Sequence, residues 1–347
     1  MHSDTLHEIL SQPETWQKTF LRAEQKRWLL PPEEHKKSTL LFVGCGTSFY
    51  LAQAAAAAVT RLSGCRSRAI PASEVFLSSA TSFIPSEKLL AVAISRSGAT
   101  TETLWAVSFM RQQLGIPVIG LTCYGESALA RESNWPMVLP EAQEKSVVMT
   151  RSFTAQLLAL LLASARSVSN HDWLRQMTPL SGRGEKLLAE KAAAMHALAN
   201  DSTLDHFVFL GQGIFYGAAN EAMLKMKEMS LSYSEAYHTL EYRHGPMSIA
   251  GKNSLITIFL GDAGREHETR VLADMKKLGA ATLVFCDRAD DTMAAYADHL
   301  IELSDDMPEE GRLLLAVPII QLLCYYRALA KNLNPDAPRN LSQVVTL

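Results

Sequence analysis

Two strand-turn-helix patterns, 167 residues apart, constrain this chain more than any other feature of its sequence. Thr39-Leu40-Leu41-Phe42-Val43-Gly44-Cys45-Gly46 is an apolar run closing on Gly-x-Gly, and an alanine-rich helical stretch follows over residues 50–62. His206-Phe207-Val208-Phe209-Leu210-Gly211-Gln212-Gly213 repeats it, with a helical stretch over 218–229. Further pairs recur: 89–103 has a counterpart at 255–269, offset 166, and 115–121 has one at 279–285, offset 164. Each unit reads strand, helix, strand. Short apolar strands without alternation are buried on both faces, which belongs in a parallel sheet wrapped by right-handed crossovers. The expected fold is α/β: two doubly wound parallel sheets flanked by helices, related by internal duplication. Ligands on such sheets bind at the carboxyl ends of the strands.

The chain's 347 residues are 48% hydrophobic and 20% charged, enough for two medium domains. The expected division is an N-terminal helical segment (1–34), a first α/β domain (35–165), a helical linker (166–200), a second domain (201–335) and a C-terminal tail (336–347). The net charge is −3, and no Lys/Arg block marks a nucleic-acid surface. Five scattered cysteines without a Cys-x-x-Cys pair fit a reducing compartment and supply no zinc site. The N-terminus lacks the basic and apolar regions of a signal peptide, so a cytoplasmic location is expected. Residues 313–328 are strongly apolar but contain Pro318, Gln321 and Arg327; they read as a buried core helix, with no membrane partner.

The first half carries chemistry at Ser95-Arg96-Ser97-Gly98-Ala99-Thr100-Thr101-Glu102-Thr103. The run lies between an apolar strand (89–94) and a helical pattern beginning at Leu104. Helix N-termini present unpaired N–H groups and partial positive charge, and hydroxyls add donors at the same spot. That suits a phosphate monoester. A lone Ser-x-Ser-Gly is equally the mark of an ordinary cap. In the second half Gly261-Asp262-Ala263-Gly264-Arg265 stands at this place, and Asp262 would repel a phosphate. A dinucleotide site is not expected, because Phe49 and Tyr216 occupy the third glycine position of each Gly-x-Gly-x-x-Gly.

The second half carries acid–base candidates. Glu221, Lys225 and Glu228 share one helix face at i, i+4 and i+7. On most helices such a stripe is a solvated salt-bridge row. Here the helix opens after Gly211-Gln212-Gly213, which aims its first turns at the ligand crevice and makes a carboxylate flanked by lysine a proton shuttle between neighbouring carbons. His244, before the Gly245-Pro246 turn, is a candidate acid–base group for opening a sugar ring, although a loop histidine is often merely exposed. No His-x-x-His spacing occurs, so no metal and no cofactor are expected.

Several motifs together resemble the tandem sugar-isomerase (SIS) domain family, and most of all the isomerase half of glucosamine-6-phosphate synthases. They are Cys45-Gly46-Thr47-Ser48, Ala72-Ser73-Glu74, Ser95-Arg96-Ser97-Gly98-Ala99-Thr100, Ala130-Arg131-Glu132-Ser133 and Thr150-Arg151-Ser152-Phe153-Thr154. Leu224-Lys225-Met226-Lys227-Glu228, Ser234-Glu235-Ala236-Tyr237, Arg243-His244-Gly245-Pro246 and Pro338-Arg339-Asn340-Leu341 complete the set. The resemblance implies that Ser95, Arg96, Ser97 and Thr100 cradle the phosphate of a hexose 6-phosphate. It places Ser48 near the sugar hydroxyls and Val147 along the sugar through its backbone. Glu228 would move the proton between C1 and C2, supported by Glu221 and Lys225, and His244 would open the ring from the partner subunit of a homodimer.

The departures from the family pattern matter. The family's tail lysine, which forms an imine with the keto sugar, is matched by Gln343, which cannot do so. Arg243 replaces a lysine and Arg96 a glutamine. The chain starts about where the isomerase half would start, so no glutamine-hydrolysing nucleophile is expected and synthase activity is not. The expected activity is that of a phosphosugar isomerase-type enzyme on a hexose 6-phosphate, with an amino sugar or Amadori derivative as substrate and isomerisation or amine release as outcome. The rival class is a sugar-phosphate sensor that binds without turnover.

Overall fold

The computed structural model describes residues 3–343. Each half is built on a five-stranded, fully parallel sheet. β1 (Thr39–Gly44), β2 (Ser67–Pro71), β3 (Leu89–Ile94), β4 (Val118–Thr122) and β5 (Trp135–Val138) lie in the order β2-β1-β3-β4-β5. β6 (His206–Gly211), β7 (Tyr233–Tyr237), β8 (Ser254–Phe259), β9 (Ala281–Cys286) and β10 (His299–Glu302) lie in the order β7-β6-β8-β9-β10, which is the same topology. The register repeats too. Leu40 pairs with Ser67 and Leu90, and Phe207 pairs with Ser234 and Leu255. Leu255 is therefore the structural counterpart of Leu90, one residue away from the match at offset 166. In a strand, one residue of slip exchanges the two faces; both strands are buried throughout, so it is the pairing that fixes this register.

The chain divides into two compact units. One comprises Ser11–Ser181 with the tail from Asn340; the other comprises Gly182–Arg339 with the N-terminal helix Asp4–Leu10. In the first unit, Leu41, Val43, Ala91, Ala93 and Val118 face the helix Thr101–Gln112 and pack on Ala106, Val107 and Met110. The opposite face takes the helices Thr47–Ser63 and Arg151–Ser167, which pack on each other. Arg151–Ser167 is buried along almost its whole length, because it fills the middle of this unit.

The second unit repeats the scheme. Val208, Leu210, Ile256, Ile258 and Val284 face the helix Arg265–Lys277 through Val271, Leu272 and Met275. The alternate residues face the helices Phe215–Ser230 and Glu309–Ala330. Phe215 stacks on Phe259 and Phe259 on Phe285, while the Arg327 guanidinium lies 5.4 Å from the Phe207 ring. Glu309–Ala330 contains the apolar stretch singled out above. It is long and apolar enough to cross a membrane, yet 83% of its apolar window is buried in this unit, so it is a core helix.

Candidate functional site

In the first unit the hydroxyl-rich turn follows β3 directly, and its helix begins at Thr101, three residues before the expected Leu104. Three hydroxyls gather there. Ser95 Oγ lies 3.1 Å from Thr100 Oγ1 and 3.5 Å from Ser97 Oγ. The Gly98 N–H donates to Ser95 Oγ at 3.1 Å, and the Ala99 N–H to Ser97 Oγ at 3.2 Å. Gly98 is required here: its φ is +64°, and a Cβ would come within 2.2 Å of Ser127 Oγ. These hydroxyls can hand their bonds from one another to an incoming anion.

Arg96 sits in the same turn, but its guanidinium makes its bonds to the 144–147 segment and to the tail at Gln343. Val147 takes part through its carbonyl, which accepts from Arg96 Nη2 at 2.8 Å. Ser48, in the first turn of Thr47–Ser63, is buried and its Oγ lies 3.9 Å from Met149 Sδ, two residues beyond that segment. The structure therefore groups Ser95, Ser97 and Thr100 in one cluster, and Arg96, Val147 and Gln343 in another.

The matching turn of the second unit is already filled. The Gly261 N–H donates to Glu268 Oε2 at 3.0 Å, and the Asp262 N–H to Glu309 Oε1 at 2.6 Å. Arg312, almost wholly buried, holds both carboxylate oxygens of Asp262 at 2.6 Å. Two of the chain's own carboxylates accept these turn amides, where a phosphate could otherwise bind. Burial pushes the Glu268 carboxyl up to about 7, against the partial relief given by the Gly261 amide.

The acid–base helix runs Phe215–Ser230. Lys225 is fully buried and lies 2.7 Å from Glu228 Oε2 and 3.3 Å from Glu221 Oε1. Glu221 is also fully buried, while Glu228 keeps a fifth of its side chain exposed. Burial works against the Lys225 charge, but the two carboxylates outweigh it and raise its pKa, so the ammonium persists. A carboxylate that reaches solvent, backed by a buried cation, is equipped to take and return a proton.

One expectation about this helix changes. Glu228 stands in its last turn, 13 residues or roughly 20 Å beyond Phe215. It lies at the level of the amino ends of β6 and β7, not beside the Gly211-Gln212-Gly213 turn. His244 lies elsewhere. It follows the one-turn helix Glu241–Arg243 beyond the carboxyl end of β7 and lines a cavity of about 450 Å³ with Leu240, Arg243, His267 and Arg270. Arg243 bridges to Asp274, on the helix Arg265–Lys277, at 3.1 Å. Glu228 and His244 therefore lie on opposite faces of the second sheet.

Sequence reasoning passed over Glu144, Glu268 and Glu309. Only the first had a usable signal: an arginine between two serines at the end of a buried strand needs a counter-charge. Glu268 and Glu309 lie on helical stretches where an acidic residue is unremarkable.

A duplicated five-stranded parallel unit, with a hydroxyl cluster at the turn after the third strand in one copy and a carboxylate-filled turn in the other, defines a class of α/β proteins built from two similar halves. The family comparison gives that class its name: the SIS domain matches residues 35–166 and 203–328, one match on each sheet. The chain belongs to the SIS domain family. Among curated relatives, the glutamine–fructose-6-phosphate aminotransferase (isomerizing) of Sulfurisphaera tokodaii is 31% identical over 89% of this chain, and that of Chlamydia abortus 30% over 75%. The chain spans about half the length of these relatives.

Among solved structures, glucosamine-6-phosphate deaminase from Thermotoga maritima has a TM-score of 0.83 at 32% identity, covering 99% of this chain and all of that one. Tagatose-6-phosphate ketose/aldose isomerase from Escherichia coli has a TM-score of 0.87 at 21% identity, covering 96% of this chain and 95% of that one, which shows the shared fold. The curated relatives are thus isomerizing aminotransferases, and the solved structures are a deaminase and a ketose/aldose isomerase.

Proposed function

We propose that this protein is an amino-sugar-phosphate deaminase or deglycase: an enzyme that takes a hexose 6-phosphate bearing an amine on C1 or C2, shifts a proton between these carbons, and releases the amine. The observation that carries the reading is the Glu221–Lys225–Glu228 group, in which a partly exposed carboxylate is held against a buried ammonium. The hydroxyls of Ser95, Ser97 and Thr100 would take the phosphate, with Ser48 and the Val147 backbone along the sugar. His244 would open the ring.

For a 2-amino aldose, ring opening leaves a C1 aldehyde beside the C2 amine. Glu228 removes the C2 proton, giving an enolamine, and returns a proton to C1, giving an imine on the substrate's own nitrogen. Water adds to that imine and ammonia leaves, with a 2-ketose phosphate as product. No protein lysine is needed, which fits Gln343 at the tail position where the family places its imine-forming lysine. Glutamine-dependent synthesis lacks that lysine and is not part of the proposal. The 32% identity with a glucosamine-6-phosphate deaminase over nearly the full length of both chains supports the reading.

The placement of Glu228 and His244 on opposite faces of one sheet supports a site completed by a second copy of the chain, in a homodimer. The experiment is a panel of hexose 6-phosphates with and without an amine on C1 or C2, assayed for amine release and for deuterium exchange at C2 in heavy water. Amine release from the amino sugars is expected. Binding of the same sugars without exchange or release would show a sensor instead.

A further inference from the structure

Arg96 stands between two serines of the first unit's hydroxyl cluster, yet all its bonds run elsewhere. It is almost wholly buried, and its Nη1 donates to Glu144 Oε2 at 3.0 Å and to the Ser146 carbonyl at 3.2 Å. Its Nη2 donates to the Val147 carbonyl at 2.8 Å and to the Gln343 carbonyl at 3.3 Å. Gln343 closes the ring, since its Nε2 donates to the Glu144 carbonyl at 3.1 Å. We propose that Arg96 is a positioning residue that fastens the tail at Gln343 to the phosphate-binding turn, and is not itself a ligand of the phosphate.

Glu144 is the fixed point. Its side chain is fully buried, and its Oε1 accepts from the Thr150 N–H at 2.7 Å, Thr150 Oγ1 at 3.0 Å and the Ser152 N–H at 3.0 Å. Its Oε2 accepts from Ser152 Oγ at 2.6 Å as well as from Arg96. A carboxylate so occupied holds the guanidinium in place, and turning Arg96 toward a phosphate would leave a buried negative charge uncompensated. The backbone of Arg96 is pinned as well, its carbonyl accepting from Thr122 Oγ1 at 3.1 Å and the Cys123 N–H at 3.0 Å. Arginine suits the task because its planar fork can face Glu144 with one nitrogen and two carbonyls with the other; a lysine ammonium offers only one centre. Arg96 thus stands where the resemblance places a glutamine, and Gln343 where it places a lysine. The two departures meet in one hydrogen-bonded ring.

The catalytic part of the test rests on the reading given under Proposed function; the binding and cleavage parts do not. The variants are Arg96→Gln and Arg96→Lys, the second keeping a charge beside Glu144 so that the fold survives. Inorganic phosphate is titrated by calorimetry, trypsin cleavage at the exposed Arg339 is followed by mass spectrometry, and turnover is measured with glucosamine 6-phosphate. Phosphate Kd is expected within about threefold of the parent, with cleavage at Arg339 and loss of kcat each on the order of tenfold and KM little changed. A roughly tenfold weaker phosphate Kd with Arg339 cleaved at the parental rate would make Arg96 a phosphate ligand and overturn the proposal, as would parental behaviour in both measurements. If the parent turns over no amino sugar, the proposed function fails, and phosphate and trypsin decide for or against Arg96 by themselves.

Discussion

Glu268 offers a quantitative test of how the second unit differs from the first. Its carboxyl is fully buried and titrates at about 7 instead of the usual 4.5, chiefly because burial penalises the charged form. The folded chain therefore binds more protons than the unfolded chain between these pH values, and stability must fall as pH rises through that window. The shift corresponds to about 3 kcal/mol when complete, at 1.36 kcal/mol per pH unit. Glu268→Gln removes the titration and keeps an oxygen that can accept from the Gly261 N–H. At pH 5 the variant should match the parent closely. At pH 8 it should be more stable by up to about 3 kcal/mol, or roughly 6–12 °C in Tm for units of this size. The assay is thermal unfolding of both proteins from pH 4.5 to 8.5. An equal Tm difference at pH 5 and pH 8, or a variant less stable at pH 8, would refute the claim that Glu268 bears a buried charge in the second turn.

Other outcomes follow from the first unit and from the acid–base helix. Ser97→Ala with Thr100→Ala should weaken hexose 6-phosphate binding by about 1.5–3 kcal/mol per charge-assisted bond lost, with the unfolding temperature nearly unchanged; calorimetry reads this directly. Glu228→Gln should lower turnover by about 10²–10⁴ while substrate binding persists, as expected for loss of a general base, whereas near-normal turnover would reduce Glu228 to an ion-pair partner. Incubation with fructose 6-phosphate and glutamine should give no glucosamine 6-phosphate, and borohydride should trap no sugar on a protein lysine, because Gln343 cannot form the imine; product in either assay would remove the basis for reading amine release.

The duplicated architecture was legible because buried parallel strands leave a continuous apolar signature, and both copies kept theirs. The exact correspondence was less legible. Leu89 and Leu90 are equally apolar and both buried, so only the strand pairing shows that Leu90 matches Leu255. The hydroxyl cluster and the Glu221–Lys225–Glu228 row could be read from spacing, since one follows a strand end and the other obeys helical periodicity. What Arg96 binds could not be read, because Glu144 lies 48 residues away along the chain and meets it only after β4, β5 and the 140–150 segment have folded back. The depth of Glu228 along its helix escaped for another reason. Periodicity reports which face a residue occupies, whereas its distance from the strand-to-helix turn comes from counting turns: a stretch over 218–229 already puts Glu228 in its last turn, which the aim of the first turns does not reach.

That depth bears on how many chains make one active site. Glu228 lies near the amino ends of β6 and β7, on the face covered by Phe215–Ser230 and Glu309–Ala330, while His244 lies beyond β7 on the face covered by Arg265–Lys277. A sheet with its side chains separates them, so the second unit of a single chain does not present both groups to one sugar. If one chain supplies Glu228 and another His244, each of two equivalent sites in a dimer draws on both copies. Glu228→Gln and His244→Ala, each nearly inactive alone, should then complement when mixed under conditions that exchange subunits. A mixed dimer holds one site with both native groups and one with neither. Random pairing makes half of the dimers mixed, so the recovered activity should approach roughly a quarter of the parent's. Sites built within single chains would give no recovery at any mixing ratio. An affinity tag on one variant, with recovery of the untagged variant on the affinity resin after mixing, shows whether exchange has occurred, so failed exchange cannot pass for failed complementation. Inactive mixed dimers would require Glu228 and His244 to serve the same sugar from one chain, against their placement on the two faces of the sheet.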